Sequence, residues 1–240
     1  MADQEINGHE RPEQSEENAV ARRLRQLVAK VANDGVGPIT GSAAYAEARL
    51  SKVRRSEPQD DETAQEPWQP ASADIERVIQ RLIKESVAAS STNGFVTGLG
   101  GFVTMPITLP ANMAGALVIN ARLAGAIAYL RGYDLRDPHV QTIVTLAAAG
   151  SSLASSLQAV GVKIGTKLTA QAIKALPVAV IRRINARVGF MLLAKYGTQR
   201  SAVTLAKGIP FVGGVVGGGV DATLTIVVGR AARASFPAEV

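Results

Sequence analysis

The order of apolar and polar positions along the 240-residue chain predicts amphipathic helices followed by long uncharged ones. Ser72 to Ser91 places isoleucine, valine and leucine on one face and charged residues on the other, as an amphipathic helix does. The next 36 residues that lack any charge, Ser86 to Ala121, exceed the roughly 20 apolar residues that cross a bilayer. Pro106, Pro110 and the glycines at positions 94, 98, 100 and 101 inside this run do not suit one straight helix. We therefore expect a broken, closely packing element rather than a single membrane crossing.

The rest of the chain also shows helical periodicity, and no alternation persists long enough to predict a strand. The fold class expected is all-α, a helical bundle with Gly-rich, closely packed apolar helices. The further predicted helices are Ser15–Asn33, Ser42–Val53, about Pro110–Arg131, His139–Leu176 with a break near Gly161, Pro177–Tyr196 and Pro210–Ser235.

Composition divides the chain into four regions. Residues 1–15 are polar and acidic and are predicted to form a disordered leader without a secretory signal. Residues 16–55 hold the N-terminal helices, and residues 56–72 are an acidic, proline-bearing linker with Trp68 inside it. Residues 73–236 form the apolar helical domain.

Glycines spaced four residues apart are frequent in the apolar domain. This spacing places bare backbone on one helix face and allows close helix approach. A glycine inside a helix costs about 0.5–1 kcal/mol relative to alanine, so the packing must compensate. Both a membrane-associated bundle and a tightly packed soluble bundle explain the pattern. The candidate packing glycines are Gly94, Gly98, Gly213, Gly214, Gly217 and Gly218, and Gly161 with Gly165 has the same spacing.

Charge is distributed unevenly between the two parts of the chain. Residues 1–85 carry 16 acidic and 12 basic side chains, whereas residues 86–240 carry 4 acidic and 14 basic ones. A basic, apolar module favours an anionic partner such as a membrane surface. Nucleic acid is not expected, because only 4% of residues are aromatic and no zinc-finger or RRM signature is present.

Two basic stripes are candidates for a face that contacts anionic lipid. Lys163, Lys167 and Lys174 fall within about 40° on a helical wheel, and Arg183 and Arg187 form a similar pair. A basic residue near an anionic surface contributes about 1 kcal/mol to binding. An ordinary solvated helix face explains each stripe equally simply.

No motif in the sequence indicates a reaction. Cysteine is absent and only two histidines are present, so no zinc site, no catalytic residues and no cofactor are expected. Asp221 and Asn185 are candidate buried polar residues, since Asp221 lies in an apolar segment. An enzyme would need Asp221, Asn185 or Lys195 to meet in one pocket.

Four segments resemble the bacterial EcsC family: GFVTGLGGFVTMPITLPAN from Gly94, AGAIAYLRGYDLRDP from Ala124, INARVGFMLLAKYGTQ from Ile184 and KGIPFVGGVVGGGVDA from Lys207. The resemblance spans about Ser72 to Phe236. It implies no cofactor and no catalytic set. It also implies a link to membrane transport, because the family takes its name from a protein encoded beside an ABC transporter of bacterial export.

These observations together lead to a primary hypothesis and an alternative. We expect a non-enzymatic, membrane-associated protein at the cytoplasmic face of an anionic membrane, peripheral, with integral insertion left open, that acts with a transport or export system. The alternative is a soluble helical module that binds a protein partner or an apolar ligand.

Overall fold

The computed structural model describes residues 12–56, 70–99, 105–162, 170–194 and 210–238. Within these ranges the protein is helical except for one hairpin of two-residue strands, so the predicted all-α fold is confirmed. The elements are α1 Pro12–Asn33, β1 Gly35–Val36, β2 Ile39–Thr40, α2 Ser42–Ser56, α3 Ser72–Leu99, α4 Met105–Leu130, α5 Pro138–Ala148, α6 Leu153–Ala159, α7 Ala170–Lys174, α8 Val178–Leu193 and α9 Pro210–Ser235.

The uncharged run from Ser86 to Ala121 contributes to two helices instead of one. α3 continues eight residues beyond the predicted end at Ser91. α4 begins at Met105, earlier than the predicted start near Pro110, with Pro106 in its first turn. Proline is tolerated there because the first amides of a helix have no intrahelical partner.

The prediction of helix from His139 to Leu176 with a break near Gly161 is correct at Gly161 and misses a second break at Gly150, because three helices cover the described part of this segment. Gly150 and Gly161 adopt positive φ angles of 74° and 79° directly after α5 and α6, a conformation that ends helices and that glycine adopts without strain. Ser152 then caps α6 by accepting a hydrogen bond from the Ser155 amide at 3.2 Å. Gly161 is therefore a helix terminator and does not belong to a packing face.

The predicted regions differ in how much of them the structure describes. α1 begins at Pro12, so the last four residues of the predicted leader are helical, and residues 1–11 lie outside the described ranges. Most of the predicted linker, including Trp68, also lies outside them. The helices of region 16–55 share one core with the apolar domain, since Val28 and Tyr45 belong to the same buried cluster as Leu117.

α4 is the central helix of the fold. It packs against α1, α2, α3, α5 and α9, and its side chains at Leu117, Leu123 and Ile127 are fully buried. A helix that is apolar on all sides is stable only when it is covered on all sides. The neighbouring helices supply this cover.

α3, α4 and α9 form a three-helix unit whose directions follow from three pairs of contacts. Gly94 lies against Gly217, and Glu76 near the start of α3 pairs with Arg233 near the end of α9. α3 and α9 are therefore antiparallel. α4 is also antiparallel to α3, because Arg131, directly after α4, pairs with Glu76.

The backbones of α3 and α9 meet at Gly94 and Gly217. A methyl group at Gly94 would lie 2.5 Å from the Gly217 carbonyl oxygen, and one at Gly217 would lie 2.6 Å from the Gly94 carbonyl oxygen. A methyl group at Gly218 would lie 2.9 Å from the Ser91 carbonyl oxygen. Carbon atoms do not approach backbone oxygen this closely, so a side chain at these positions would separate the helices.

We predict that Gly217→Ala lowers the free energy of unfolding by about 1–3 kcal/mol, because the new methyl group has no room beside Gly94. Gly219→Ala is the matched control on the same helix, since nothing lies within 4 Å of a methyl group there. It should raise stability by about 0.5–1 kcal/mol through the better helix propensity of alanine. Denaturant unfolding followed by circular dichroism measures both, and equal stabilities for the two variants would show that the helix contact is not close-packed.

Candidate functional site

The charged residues of the three-helix unit are concentrated at one end. α3 carries all its charges before Ser86, α4 carries only Arg122, and α9 carries none before Asp221. Because α3 is antiparallel to both other helices, its uncharged half lies beside theirs. We call residues 86–99, 105–121 and 210–220 together the uncharged end.

The opposite end of the unit is held together by ion pairs. Glu76 receives the Arg131 guanidinium at 2.7 Å and also pairs with Arg233, so that one carboxylate joins all three helix ends. Asp74 pairs with Arg77 one turn away. The unit is therefore polarised, with ion pairs at one end and no charge at the other.

A buried polar network lies in the interior where the uncharged end begins. Thr225 Oγ1 is 2.9 Å from Asn120 Oδ1, 2.6 Å from Ser90 Oγ and 3.0 Å from the Asp221 carbonyl oxygen. Asn120 Oδ1 and the Asp221 carbonyl oxygen can only accept, so Thr225 donates its single hydroxyl proton to one of them. The Ser90 hydroxyl therefore donates to Thr225. The network joins α3, α4 and α9 at one level.

Asp221 and Asn185, the two candidate buried polar residues, lie in different parts of the fold. Asp221 is 4% exposed, and its Oδ2 would lie 2.7 Å from a methyl group at Gly94. Asn185 is partly exposed on α8, which packs against α1, α5 and α6, and its carbonyl oxygen accepts a hydrogen bond from Arg25 Nη1 at 2.5 Å. They do not form one pocket, and Lys195 lies outside the described residues.

A second cluster, of charged and aromatic groups, lies at the same boundary between the charged and uncharged parts of α3 and α4. The Arg49 and Arg122 guanidinium carbons lie 4.3 Å and 4.1 Å from the centre of the Tyr45 ring. Glu85 accepts from Arg49 at 2.9 Å and from Arg81 at 3.0 Å, and the Tyr45 hydroxyl donates to it at 3.3 Å. We call these five residues the boundary cluster.

The protonation equilibria of the boundary cluster follow from burial and from its ion pairs. Burial raises the pKa of Tyr45 and lowers the pKa of Arg122, since each ionised form loses hydration. Burial alone would also raise the pKa of Glu85. Hydrogen bonds from Arg81 and Arg49 outweigh it, so the pKa of Glu85 lies below its usual value.

The candidate basic stripes do not form one continuous face of a helix in the described chain. Lys174 ends the short helix α7, whereas Arg183 and Arg187 lie on α8 beyond the turn at Pro177. All three side chains are exposed. Lys163 and Lys167 fall outside the described residues.

The candidate packing glycines are distributed along the uncharged end. Gly94, Gly217 and Gly218 form the contact between α3 and α9. Gly98 lies in the last turn of α3, and Gly213 and Gly214 lie in the first turns of α9. The side-chain surroundings of Gly98, Gly213 and Gly214 lie outside the part of the chain that the structure describes.

The surface of the uncharged end is apolar where the structure describes it. Val96 is 60% exposed and Val215 is 56% exposed. Ser91, Thr92, Phe95, Val215, Gly218 and Gly219 line a shallow groove of about 480 Å³ between α3 and α9. The exposed hydroxyls of Thr92 and Thr223 donate to carbonyl oxygens of their own helices, at 3.0 Å and 2.9 Å.

By length and composition, one described helix could cross a membrane. This is Val215–Ser235, with a mean hydropathy of 1.3, and 44% of it is buried inside the protein. α5 and α6 pass the same test only as a pair, bent by 95° at their junction. Buried helices of soluble proteins meet the same criteria, so the test alone does not place the protein in a membrane.

The described residues contain no group of three or more histidine, aspartate or glutamate side chains that could hold a metal ion. His139 has a local structural environment. Its amide donates to Asp137 Oδ1 at 2.7 Å, which caps α5, and its ring nitrogen lies 3.2 Å from the Leu176 carbonyl oxygen. This ring therefore connects the start of α5 to the turn before α8.

Comparison with known proteins identifies the family of the chain. The model of the EcsC protein family matches residues 17–237, nearly the whole described fold. The chain belongs to the EcsC protein family. A search among curated proteins and a search among solved structures returned no match.

Neither the buried polar network around Thr225 nor the boundary cluster was predicted from the sequence. Arg122 is conspicuous as the first charge after the long uncharged run, but Tyr45 and Arg49 are far from it in sequence. Thr225 lies four residues after Asp221 and so shares its helix face. Nothing in the linear sequence pairs it with Asn120, 105 residues earlier.

We predict that Thr225→Val lowers the free energy of unfolding by about 1–3 kcal/mol, because a valine of similar volume leaves Ser90 and Asn120 without their buried partner. Thr223→Val is the control, since its hydroxyl is exposed and bonds only within its own helix. That change should lie within about 0.5 kcal/mol of the parent protein. Denaturant unfolding of both variants tests the network, which equal stabilities would contradict.

Proposed function

We propose that the protein is a non-enzymatic membrane-associated protein that inserts its uncharged end into the cytoplasmic face of the membrane. The observation that carries this proposal is the partition of charge in the three-helix unit. α3 and the two helices antiparallel to it, α4 and α9, lose their charged residues at the same end, although α3 and α9 lie more than a hundred residues apart. A soluble bundle has no need for such an alignment.

The length of the uncharged end favours insertion over crossing. At 1.5 Å per residue, the 14 uncharged residues of α3 extend about 20 Å, and the 17 of α4 extend about 25 Å. The hydrocarbon core of a bilayer is about 30 Å thick. The uncharged end therefore reaches beyond one leaflet and stops short of the opposite surface.

The described surface of the uncharged end suits lipid. Val96 and Val215 present apolar side chains outward. Exposed hydroxyls cost little in lipid when they bond to their own helix, as those of Thr92 and Thr223 do. The polar groups of the interior network bond to one another, so insertion does not leave them facing hydrocarbon.

Anionic lipid is the partner that the basic side chains favour. Residues 86–240 carry an excess of ten positive charges, and Lys174, Arg183 and Arg187 are exposed. Headgroups of phosphatidylglycerol would attract these groups, and salt would weaken the attraction. An association of the protein with a membrane transport or export system fits this placement, because the ion-paired end of the unit would face the cytoplasm.

We predict that the protein floats with phosphatidylglycerol-containing vesicles and that Val215→Asp or Val96→Asp reduces the bound fraction at least about ten-fold. A charge in the hydrocarbon region costs about 2.5–3.5 kcal/mol at its centre and less near the surface. Ile226→Asp is the matched control, because Ile226 is 37% exposed on the same helix as Val215 but lies outside the uncharged end.

A parent protein that stays wholly soluble and monodisperse with vesicles at low salt would contradict the proposal. That result would favour the soluble module, with the groove between α3 and α9 as its site for an apolar ligand. Equal losses in Ile226→Asp and Val215→Asp would also contradict it, because binding would then depend on overall charge. Extraction of the bound protein by high salt or carbonate separates peripheral from inserted attachment.

A further inference from the structure

Arg122, in the second half of α4, differs from Arg131, directly after α4, in its ion pairs. The Nε atoms of both arginines are buried without a hydrogen-bond partner. Arg131 nevertheless pairs with Glu76 at 2.7 Å, whereas Arg122 has no carboxylate of the described residues within 4.0 Å. A partly buried guanidinium that lacks a counter-ion is costly, because the lost hydration is not replaced.

The nearest carboxylate is already occupied. Glu85 accepts from both Arg49 and Arg81, so the boundary cluster holds three guanidinium groups and one carboxylate. Tyr45 stacks on Arg122 and is itself 4% exposed. This contact restrains the guanidinium, and the part of the Arg122 side chain that is not buried is open to an anion. A fixed guanidinium edge matches the oxygens of a phosphate group.

The position of Arg122 relative to the uncharged end is fixed by the register of α3 and α4. Asn93 lies against Gly115, and Glu76 pairs with Arg131. Interpolation between these two contacts places Arg122 opposite Glu85 and Ser86, the point where the uncharged part of α3 begins. An uncharged end that lies in hydrocarbon would therefore hold Arg122 at the depth of the lipid phosphates.

We propose that Arg122, with Arg49 beside it, binds the phosphate group of an anionic phospholipid. This inference rests on the proposed insertion of the uncharged end. It assigns headgroup binding to the boundary cluster, separate from the basic side chains of α7 and α8. The phosphate supplies the counter-charge that Arg122 lacks within the described chain, and the stacked Tyr45 orients it.

The test compares three variants on vesicles of phosphatidylcholine alone and on vesicles that also contain phosphatidylglycerol. Arg122→Gln should weaken binding to the anionic vesicles at least about ten-fold, since it removes a charge-assisted bidentate contact. Arg122→Lys keeps the charge but loses the planar fork, and it should also lose much of the preference for anionic vesicles. Arg136→Gln is the control.

Arg136 is exposed in the turn after α4. The helix from Arg122 to Leu130 extends about 12 Å, so Arg136 follows the far end of α4 and is not a member of the boundary cluster. Its removal should change vesicle binding less than about two-fold. The unfolding midpoint of each variant, followed by circular dichroism, shows whether it folds. If Arg122→Gln does not fold, the vesicle binding of Arg122→Lys alone tests the proposed phosphate site.

Binding of Arg122→Lys that equals the parent protein's would overturn the proposal, because generic charge attraction would then suffice. Equal binding of the parent protein to vesicles of phosphatidylcholine alone and to vesicles that also contain phosphatidylglycerol would overturn the assignment to an anionic lipid. If the parent protein binds vesicles, Val215→Asp does not, and both Arg122 variants bind normally, only the headgroup site fails. If the parent protein binds no vesicle, the insertion itself fails.

Discussion

The close approach of the α3 and α9 backbones is the contact on which the rest of the fold depends. Gly94 and Gly217 leave no room for a side chain between the helices. This distance allows Ser90 and Thr225 to reach each other at 2.6 Å, and Thr225 also bonds to Asn120 on α4 at 2.9 Å. Wider separation would break that network and leave its hydroxyl and amide groups buried without partners.

The antiparallel arrangement also determines how charge is distributed. It brings Glu76, Arg131 and Arg233 together at one end and leaves the other end without charge. Ion pairs of this kind contribute modestly to stability when they are partly exposed. They contribute more to specificity, because a shift of one helix by a turn would separate the carboxylate from both arginines.

Much of the fold could be predicted from local patterns, and the errors have a common cause. Helix periodicity and the proline near Met105 were sufficient to divide the run from Ser86 to Ala121. The break at Gly150 was missed because a glycine among alanines gives no local signal of its φ angle. The boundary cluster was missed because Tyr45, Glu85 and Arg122 lie on three helices.

Several properties could be predicted without the fold: the helical class, the uncharged segments, the glycine spacing on α3 and α9 and the acidic residue at Asp221. Each is a property of one helix at a time, and the periodicity of that helix shows it. The packing of the helices was needed to show which glycines meet, that the uncharged halves share one end, and that Arg122 has no carboxylate partner among the described residues. Packing joins residues a hundred or more positions apart, and no local sequence pattern contains information over that separation.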